Sequence, residues 1–252
     1  MTMLLFYIRH GNPTYKPDEL TPLGRRQAEA VCRRLAAFGI DEIYASSSTR
    51  AMQTAEPLCE ILGKEMTVLD WMHEKHAFKQ LTMPYKDGKG SWLWSHPEYA
   101  ELLCSRELRE MGERWYEHPR LADGNFGEAV KRIGNEADKW LSSFGYEHDR
   151  EKGMYKITSD EYKDKRIALF AHEGAGKTLL SEILDIPYPY FSTHIDMQQS
   201  GMTVIYFDDG GGEHDYKGYA RARVLTVSND SHLYRSALPT EYRATYIKDL
   251  KF

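Results

Sequence analysis

The feature that most constrains the fold is a continuous apolar run at residues 4–8. A turn that begins at Gly11 follows it. A strand without polar alternation is buried on both faces, as strands are in the middle of a mainly parallel sheet. Residues 167–171 repeat this pattern late in the chain. The two runs therefore predict two central strands that helices cover on both sides.

Amphipathic helices are predicted between the strands. One covers residues 22–38, where Thr21 is a suitable N-cap and Gly39 a suitable end, and the next closes at Gly63. A third helix carries the apolar residues Leu179, Leu180, Ile183 and Leu184. The other predicted strands are residues 42–45, 66–69, 202–207 and 220–227. This order predicts an α/β fold, a three-layer α/β/α sandwich with a mainly parallel central sheet.

The middle of the chain, residues 78–165, breaks the alternation of strands and helices. It is rich in Trp, Tyr, Glu and Lys, and its clearest helix carries Val130, Ile133, Ala137 and Trp140 at helical spacing. We expect a single domain over residues 1–252, in which residues 78–165 form a largely helical insertion or cap.

The composition excludes several classes of partner. Lys and Arg total 33 and Asp and Glu total 38, a net charge of −5, so no general positive field attracts nucleic acid or an anionic membrane. The apolar run at residues 3–8 is far shorter than the ~20 residues of a membrane span. Cys32, Cys59 and Cys104 are widely spaced, which predicts neither disulfides nor a zinc site. A cytoplasmic location is the expectation.

Basic side chains follow three of the predicted strands. Arg9 and His10 follow the first, Arg50 opens the helix after the second, and His172 follows the strand at residues 167–171. Because the carboxyl ends of parallel strands meet at one edge of a sheet, we expect these side chains to lie together. Arginine forks and helix N-termini both bind phosphate oxygens, so the sequence predicts a focused anion site.

Five sequence blocks carry a family resemblance. They are Arg9-His10-Gly11 and residues 20–28, 44–55, 170–174 and 229–233, in that order. The set resembles the histidine phosphatase superfamily (phosphoglycerate mutase-like, branch 1), and it spans most of the chain outside the insertion. The resemblance implies that His10 is a nucleophile that accepts a phosphoryl group, and that water then cleaves the phosphohistidine.

The resemblance also assigns the phosphate ligands. Arg9, Arg50 and His172 would hold the phosphoryl oxygens and stabilise charge in the transition state, and Asn12 would contact phosphate. Neighbouring arginines disfavour the imidazolium form of His10, which could not attack phosphorus. Three structural alternatives remain open: His172 as a helix cap, Arg50 as a solvated first-turn residue and Asn12 as a turn residue.

Glu74 is the predicted proton donor to the leaving oxygen, because the family often places a carboxylic acid shortly after the third strand. Aromatic neighbours that buried it would raise its pKa. A solvated loop glutamate is the alternative reading, and the competing donors are His73, His76 and Glu173. No cofactor is expected, and the expected partner is a small phosphorylated substrate.

Two rival functions remain open at this stage. One is a phosphomutase, although residues 73–78 lack the segment that is distinctive of the glycolytic mutases. The other is a catalytically silent module that only captures a phosphorylated ligand. Residues 174–178 resemble the end of a P-loop, but Ala171 stands where its first glycine would fall, so nucleotide hydrolysis by that route is not expected. No metal site is predicted, since the histidines lack a spaced third ligand.

Overall fold

The structure is a computed structural model that describes residues 3–85, 88–211 and 216–240. Its strands are β1 (Leu4–Arg9), β2 (Pro13–Tyr15), β3 (Asp18–Leu20), β4 (Glu42–Ser46), β5 (Met66–Leu69), β6 (Thr82–Pro84), β7 (Gly90–Trp92), β8 (Tyr146–Asp149), β9 (Met154–Ile157), β10 (Arg166–Ala171), β11 (Met202–Asp208) and β12 (Tyr219–Asn229). Its α-helices are α1 (Pro22–Phe38), α2 (Thr49–Leu62), α3 (Glu74–Gln80), α4 (Pro97–Cys104), α5 (Arg106–Met111), α6 (Phe126–Ser142), α7 (Glu173–Ile183), α8 (Tyr188–His194) and α9 (Ser231–Arg235). Short 3-10 helices lie at Asp70–Met72, Leu93–Ser95, Gly112–Glu117 and Pro119–Leu121.

The main sheet has the strand order β5-β4-β10-β1-β11-β12-β9-β8. Its first four strands run parallel to one another, with Leu5 of β1 opposite Ile167 of β10. From β11 onward each strand pairs antiparallel with its neighbour. The predicted fold class is confirmed, and the two apolar runs form neighbouring strands in the middle of the sheet.

Side chains of β1 point alternately into two apolar cores. Leu5 and Tyr7 pack in the core that α6, α7 and α8 complete, whereas Phe6 and Ile8 pack in the core beneath α1 and α2. All four are almost completely buried, as an uninterrupted apolar strand requires. Among the described helices, none is both long and apolar enough to cross a lipid bilayer.

The ends of α1 and α2 lie where their capping residues predict. The side chain of Thr21 accepts a hydrogen bond from the amide of Gly24, which satisfies one free N–H at the start of α1. Gly39 and Gly63 adopt left-handed conformations, with φ of 74° and 62°, and end α1 and α2. The amide of Thr21 also donates to the carbonyl oxygen of Asn12, at 3.0 Å, which holds the first turn of α1 beside the loop after β1, and α2 begins directly after the carboxyl end of β4.

The segment between residues 78 and 165 contains helices α4, α5 and α6 together with two hairpins. In one hairpin β6 pairs with β7, and in the other β8 pairs with β9. Tyr219 and Ala220 of β12 pair with β9, so the second hairpin extends the main sheet. The second hairpin leaves little trace in the sequence, because the polar β8, Tyr146 to Asp149, contains no apolar run. Its strands were therefore not predicted.

A buried histidine joins the second hairpin to the helices beneath it. The Nδ1 atom of His148 lies 3.1 Å from Asp138 of α6, and its Nε2 atom lies 3.0 Å from Asp185 after α7. Both carboxylates accept hydrogen bonds, so both ring nitrogens donate and the ring is an imidazolium. Burial lowers the pKa of His148, but the hydrogen bonds to the two aspartates outweigh it and raise the pKa to about 9. Arg150 binds the same carboxylates.

We expect this histidine to make stability depend on pH. Its pKa is about 9 in the folded chain and about 6.5 in an unfolded one. The contribution is therefore complete below about pH 6.5 and is lost as pH rises toward 9. The difference in pKa corresponds to about 3 kcal/mol, which solvent screening of this partly exposed cluster reduces to on the order of 2 kcal/mol. Urea unfolding of the wild type and His148→Gln at pH 6, 7.5 and 9 should show their difference shrinking with pH. A difference that stays constant across this range contradicts the assignment.

Candidate active site

Three neighbouring strands deliver the predicted phosphate ligands to one edge of the sheet. β4, β10 and β1 are adjacent and parallel, and His10, Arg50 and His172 all follow their carboxyl ends. The rings of His10 and His172 have centroids 5.2 Å apart, and Nη2 of Arg50 lies 3.1 Å from Nδ1 of His172. The structure thus brings these three side chains together with Arg9, the last residue of β1.

Two glycines allow the loop after β1 to pack against the start of α1. A Cβ atom on Gly24 would lie 2.1 Å from the backbone oxygen of Asn12, and one on Gly11 would lie 2.6 Å from the oxygen of Gly24. Neither position can therefore carry a side chain, and both must be glycine. The Gly11 amide also donates to Oγ1 of Thr54, at 3.1 Å. These contacts fix the backbone directly after His10.

His10 is buried and its ring is held in one tautomer. Its Nδ1 atom lies 2.7 Å from the carbonyl oxygen of Gly11, which can only accept, so Nδ1 carries the hydrogen. Burial, followed by the charges of Arg9 and Arg50, holds the pKa of His10 well below its usual range. The ring is therefore neutral, with a lone pair on Nε2. A neutral imidazole with a free Nε2 is the form that can attack phosphorus.

Arg9 and Arg50 flank His10, and each already uses part of its guanidinium. Arg9 pairs with Glu173 through Nη1, at 3.0 Å, and Arg50 pairs with Asp18 of β3, at 2.5 Å. The Nε atoms of both arginines are buried and have no hydrogen-bond partner among the described residues. Unsatisfied buried N–H groups are costly, and an anion in the cleft would give them acceptors.

His172 lies beneath the cleft and its side chain is fully buried. Its Nδ1 atom accepts a hydrogen bond from Arg50, so Nε2 carries the hydrogen and donates to Oγ of Ser46, at 2.8 Å. Burial, followed by the nearby His10 and Arg50, holds the pKa of His172 well below its usual range. In this arrangement His172 supports Arg50 from below, and direct contact with phosphate stays a prediction.

Glu74, the first residue of α3, reaches the N-terminus of α7. Its two carboxyl oxygens accept hydrogen bonds from the amides of Gly174 and Ala175, at 2.9 and 3.0 Å. Burial raises the pKa of Glu74, although these amides and the two arginines oppose the shift. A carboxyl group with a raised pKa beside a nucleophile is the arrangement expected of a general acid.

The competing proton donors are less well placed. His76 turns away and lies 3.2 Å from Asp70. Glu173 lines the cleft, but its two carboxyl oxygens are engaged by Arg9 and Lys177. His73 also lines the cleft, and its Nδ1 accepts from the amide of Lys75, which leaves only Nε2 for proton transfer.

Asn12 points away from the cleft. Its side-chain nitrogen donates to Gln199, at 2.8 Å, and its side-chain oxygen accepts from Thr21, at 2.7 Å. Both ends of the amide are thus used in tying the loop to its neighbours. Its contact with phosphate stays a prediction, and in this structure Asn12 acts as a turn residue.

The P-loop-like fragment has a structural explanation. Lys177 is completely buried, and its Nζ atom lies 2.7 Å from Asp196, 3.0 Å from the carbonyl oxygen of Ser192 and 3.3 Å from Glu173. The lysine therefore neutralises carboxylates within the fold and does not reach the cleft. Gly174 instead serves close packing, since a Cβ atom there would lie 2.3 Å from the ring of Trp92.

The cleft in front of His10 has a volume of about 410 Å³. Besides Arg9, His10, Arg50, His73, Glu74 and Glu173, it is lined by Tyr15, Lys75, Phe78 and Trp92. Sequence reasoning missed Tyr15, Trp92 and the Asp18 partner of Arg50, since short hairpins outside the motif blocks supply them. Within the described residues, no group of His, Cys, Asp and Glu side chains is arranged to hold a metal ion.

Comparison with known proteins identifies the family. The sequence profile of the histidine phosphatase superfamily, branch 1, matches residues 5–217. The chain belongs to this superfamily.

Two curated relatives carry enzyme names. A putative phosphoserine phosphatase 2 of Hydrogenobacter thermophilus is 28% identical over 44% of this chain and 62% of its own length. An 8-oxo-(d)GTP phosphatase of Mycolicibacterium smegmatis is 38% identical over 25% of this chain and 22% of its own length. The chain thus matches less than two thirds of either relative.

Solved structures of histidine phosphatases show the same fold. A phosphoserine phosphatase from Entamoeba histolytica has a TM-score of 0.57 and 18% identity, covering 92% of this chain and 99% of its own. A mycobacterial glucosyl-3-phosphoglycerate phosphatase has a TM-score of 0.57 and 20% identity, covering 90% of this chain and 99% of its own. At these identities the likeness establishes the fold alone.

Proposed function

We propose that this histidine phosphatase hydrolyses phosphomonoesters without a metal ion, through a phosphohistidine at His10. The observation that carries the proposal is the neutral, buried His10, whose free Nε2 lies in a cleft between Arg9 and Arg50. The guanidinium groups of Arg9 and Arg50, which line the cleft, would supply donors for phosphoryl oxygens. Phosphatase names among its relatives agree with this activity.

The reaction has two transfers. In the first, Nε2 of His10 forms a bond to phosphorus while the bond to the ester oxygen breaks, and Glu74 gives its proton to that oxygen. In the second, water attacks the phosphohistidine, the Glu74 carboxylate takes a proton from the water, and the N–P bond breaks to release phosphate. Arg9 and Arg50 stabilise the charge on the transferring group in both steps.

The role of Glu74 predicts a dependence on the leaving group. Glu74→Gln should lower kcat/KM for alkyl phosphates by about 10²- to 10³-fold, because their alkoxides need a proton as the bond breaks. Hydrolysis of nitrophenyl phosphate should slow much less in this variant, because its phenolate leaves without a proton. Rates for alkyl esters should also fall as pH rises above the raised pKa of Glu74, and the variant should lack that limb.

The control for this experiment is Glu65→Gln, an exposed glutamate that precedes β5 at the opposite edge of the sheet. Its rates should match the wild type for every ester. Equal slowing of alkyl and nitrophenyl esters by Glu74→Gln would point to another donor, and His73 is the next candidate because it also lines the cleft.

Phosphate release measured in EDTA tests the proposed function as a whole. The panel consists of alkyl and aryl phosphates, sugar phosphates and nucleotides, and the reaction is quenched in alkali to preserve phosphohistidine. Release from a monoester with labelled His10 supports the proposal. Turnover that needs a phosphorylated primer indicates a phosphomutase, binding without turnover indicates a silent module, and loss of activity in EDTA contradicts metal independence.

A further inference from the structure

Aromatic side chains form one wall of the cleft. Tyr15 of β2 is 66% exposed and Phe78 of α3 is 41% exposed, although both are large enough to favour burial. Trp92 of β7 stands beside Phe78, with ring centroids 5.2 Å apart and the planes nearly perpendicular. Exposed apolar groups that converge on a catalytic cleft are typical of a surface that binds the body of a ligand.

The position of Tyr15 ties this wall to the phosphate ligands. Cζ of Arg50 lies 5.3 Å from the centroid of the Tyr15 ring, within the range of a cation–π contact. A phosphoryl group bound by Arg50 would therefore lie near the Tyr15 ring, and the group attached to that phosphate would extend along the aromatic wall.

The position of Trp92 ties the same wall to the proton donor. Its ring packs directly on Gly174, where a Cβ atom would lie 2.3 Å from the ring, and the Gly174 amide binds the Glu74 carboxyl group. Trp94 stacks on Trp92, with centroids 4.6 Å apart. Trp92 is thus held beside the amide that binds the Glu74 carboxyl group, and a leaving group protonated by Glu74 would lie near its ring.

The charges around the cleft allow for a single phosphoryl group. Arg9 is paired with Glu173 and Arg50 with Asp18, so carboxylates already offset both arginines. These two ion pairs carry no net charge together, so a bound phosphate dianion would leave the site negative and would disfavour a second anion. Among the described lining residues, Lys75 is the one further cation, and it is solvent-exposed, so a second anionic group gains little.

We propose that the substrates are phosphomonoesters of aromatic alcohols or phenols with no second anionic group. A flat ring attached to the ester oxygen would pack against the aromatic wall of Tyr15, Phe78 and Trp92, in a cleft of about 410 Å³. Phosphoserine and phosphoglycerate, whose leaving groups are small and carry a carboxylate, fit this cleft poorly. The inference rests on the proposed function and adds the class of leaving group to it.

The test compares kcat/KM for benzyl phosphate and 2-naphthylmethyl phosphate with that for glycerol phosphate, phosphoserine and 3-phosphoglycerate. These are all alkyl esters, so differences in leaving-group chemistry are small. We expect both aromatic esters to exceed the carboxylate-bearing esters by at least about tenfold. Phosphoserine or 3-phosphoglycerate as the better substrate overturns the inference and leaves the proposed function intact, whereas no turnover of any ester overturns the proposed function itself.

A variant separates ring binding from the chemistry. Phe78→Ala should lower the ratio of kcat/KM for 2-naphthylmethyl phosphate to that for glycerol phosphate by about tenfold. The matched control is Phe38→Ala on α1, which is 43% exposed and lies outside the cleft lining; its ratio should equal that of the wild type. An unchanged ratio in Phe78→Ala overturns the inference.

Binding gives a second readout that does not need turnover. Calorimetry should show that naphthylmethylphosphonate binds the wild type more tightly than phosphonoacetate, and that Phe78→Ala weakens the former about tenfold. This preference should hold even if the protein turns over no ester, which keeps the ring-binding inference testable apart from catalysis. Tighter binding of phosphonoacetate contradicts it.

Discussion

His10→Ala is expected to lower phosphatase activity by at least about 10⁴-fold, the scale seen when a covalent nucleophile is removed. The imidazole makes the bond to phosphorus, and no other described side chain of the cleft presents a neutral nitrogen between both arginines. The phosphohistidine signal after alkaline quenching should disappear together with the activity.

Ligand binding should survive this substitution. Arg9 and Arg50 keep their partners Glu173 and Asp18 in the absence of the ring, so the guanidinium groups that would bind phosphate stay in place. His10→Ala should therefore still bind phosphate within several-fold of the wild type. The control is His194→Ala at the exposed end of α8, which should retain full activity. Residual turnover above a few per cent in His10→Ala would exclude His10 as the nucleophile.

Arg50→Ala is expected to lower kcat/KM by about 10²- to 10³-fold, the typical effect of removing one preorganised donor to a transition state. Arg50 is 7% exposed, lies against His172 and has a buried Nε without a partner among the described residues. Its charge also helps to hold the pKa of His10 down. The variant should therefore lose transition-state stabilisation and shift the acidic limb of its pH profile toward higher pH.

Arg50→Lys should recover little of this loss. A lysine keeps the charge, but it cannot bind Asp18, His172 and phosphate oxygens at once with the geometry of a guanidinium. Arg33→Ala on the surface of α1, where Arg33 pairs with Glu29, is the control and should leave kcat/KM unchanged. Wild-type rates in Arg50→Lys would show that charge alone, without the fork, supports catalysis.

Much of the fold follows from local sequence signals. The apolar run of β1 requires burial on both faces, and Thr21 and Gly39 mark the ends of α1, so the strand and its helix can be predicted without tertiary information. The adjacency of His10, Arg50 and His172 then follows from the general rule for parallel strands. The family resemblance predicted Glu74 as a proton donor but not its contact with the N-terminus of α7.

The remaining features depend on contacts between distant segments. The hairpin of β8 and β9 is stabilised by β12 and by the charged contacts of His148, and neither leaves an apolar pattern in the sequence. Trp92 looks like an ordinary core residue until its ring is seen on Gly174. The pairing of Asp18 with Arg50 joins a motif residue to a hairpin residue that lies outside the motif blocks. Periodicity and spacing carry no information about such pairs.

The contact between Gly11 and Gly24 has a consequence for how this protein can diverge. The two glycines clamp the base of the segment that carries β2 and β3, so that segment leaves and rejoins the core at fixed points. Its tip, which holds Tyr15 and Asp18, can change in length or composition without displacing His10. The segment of β2 and β3 can therefore be exchanged as a unit. Chimeras that take this segment from a relative should keep His10 in its position, provided that both glycines are retained.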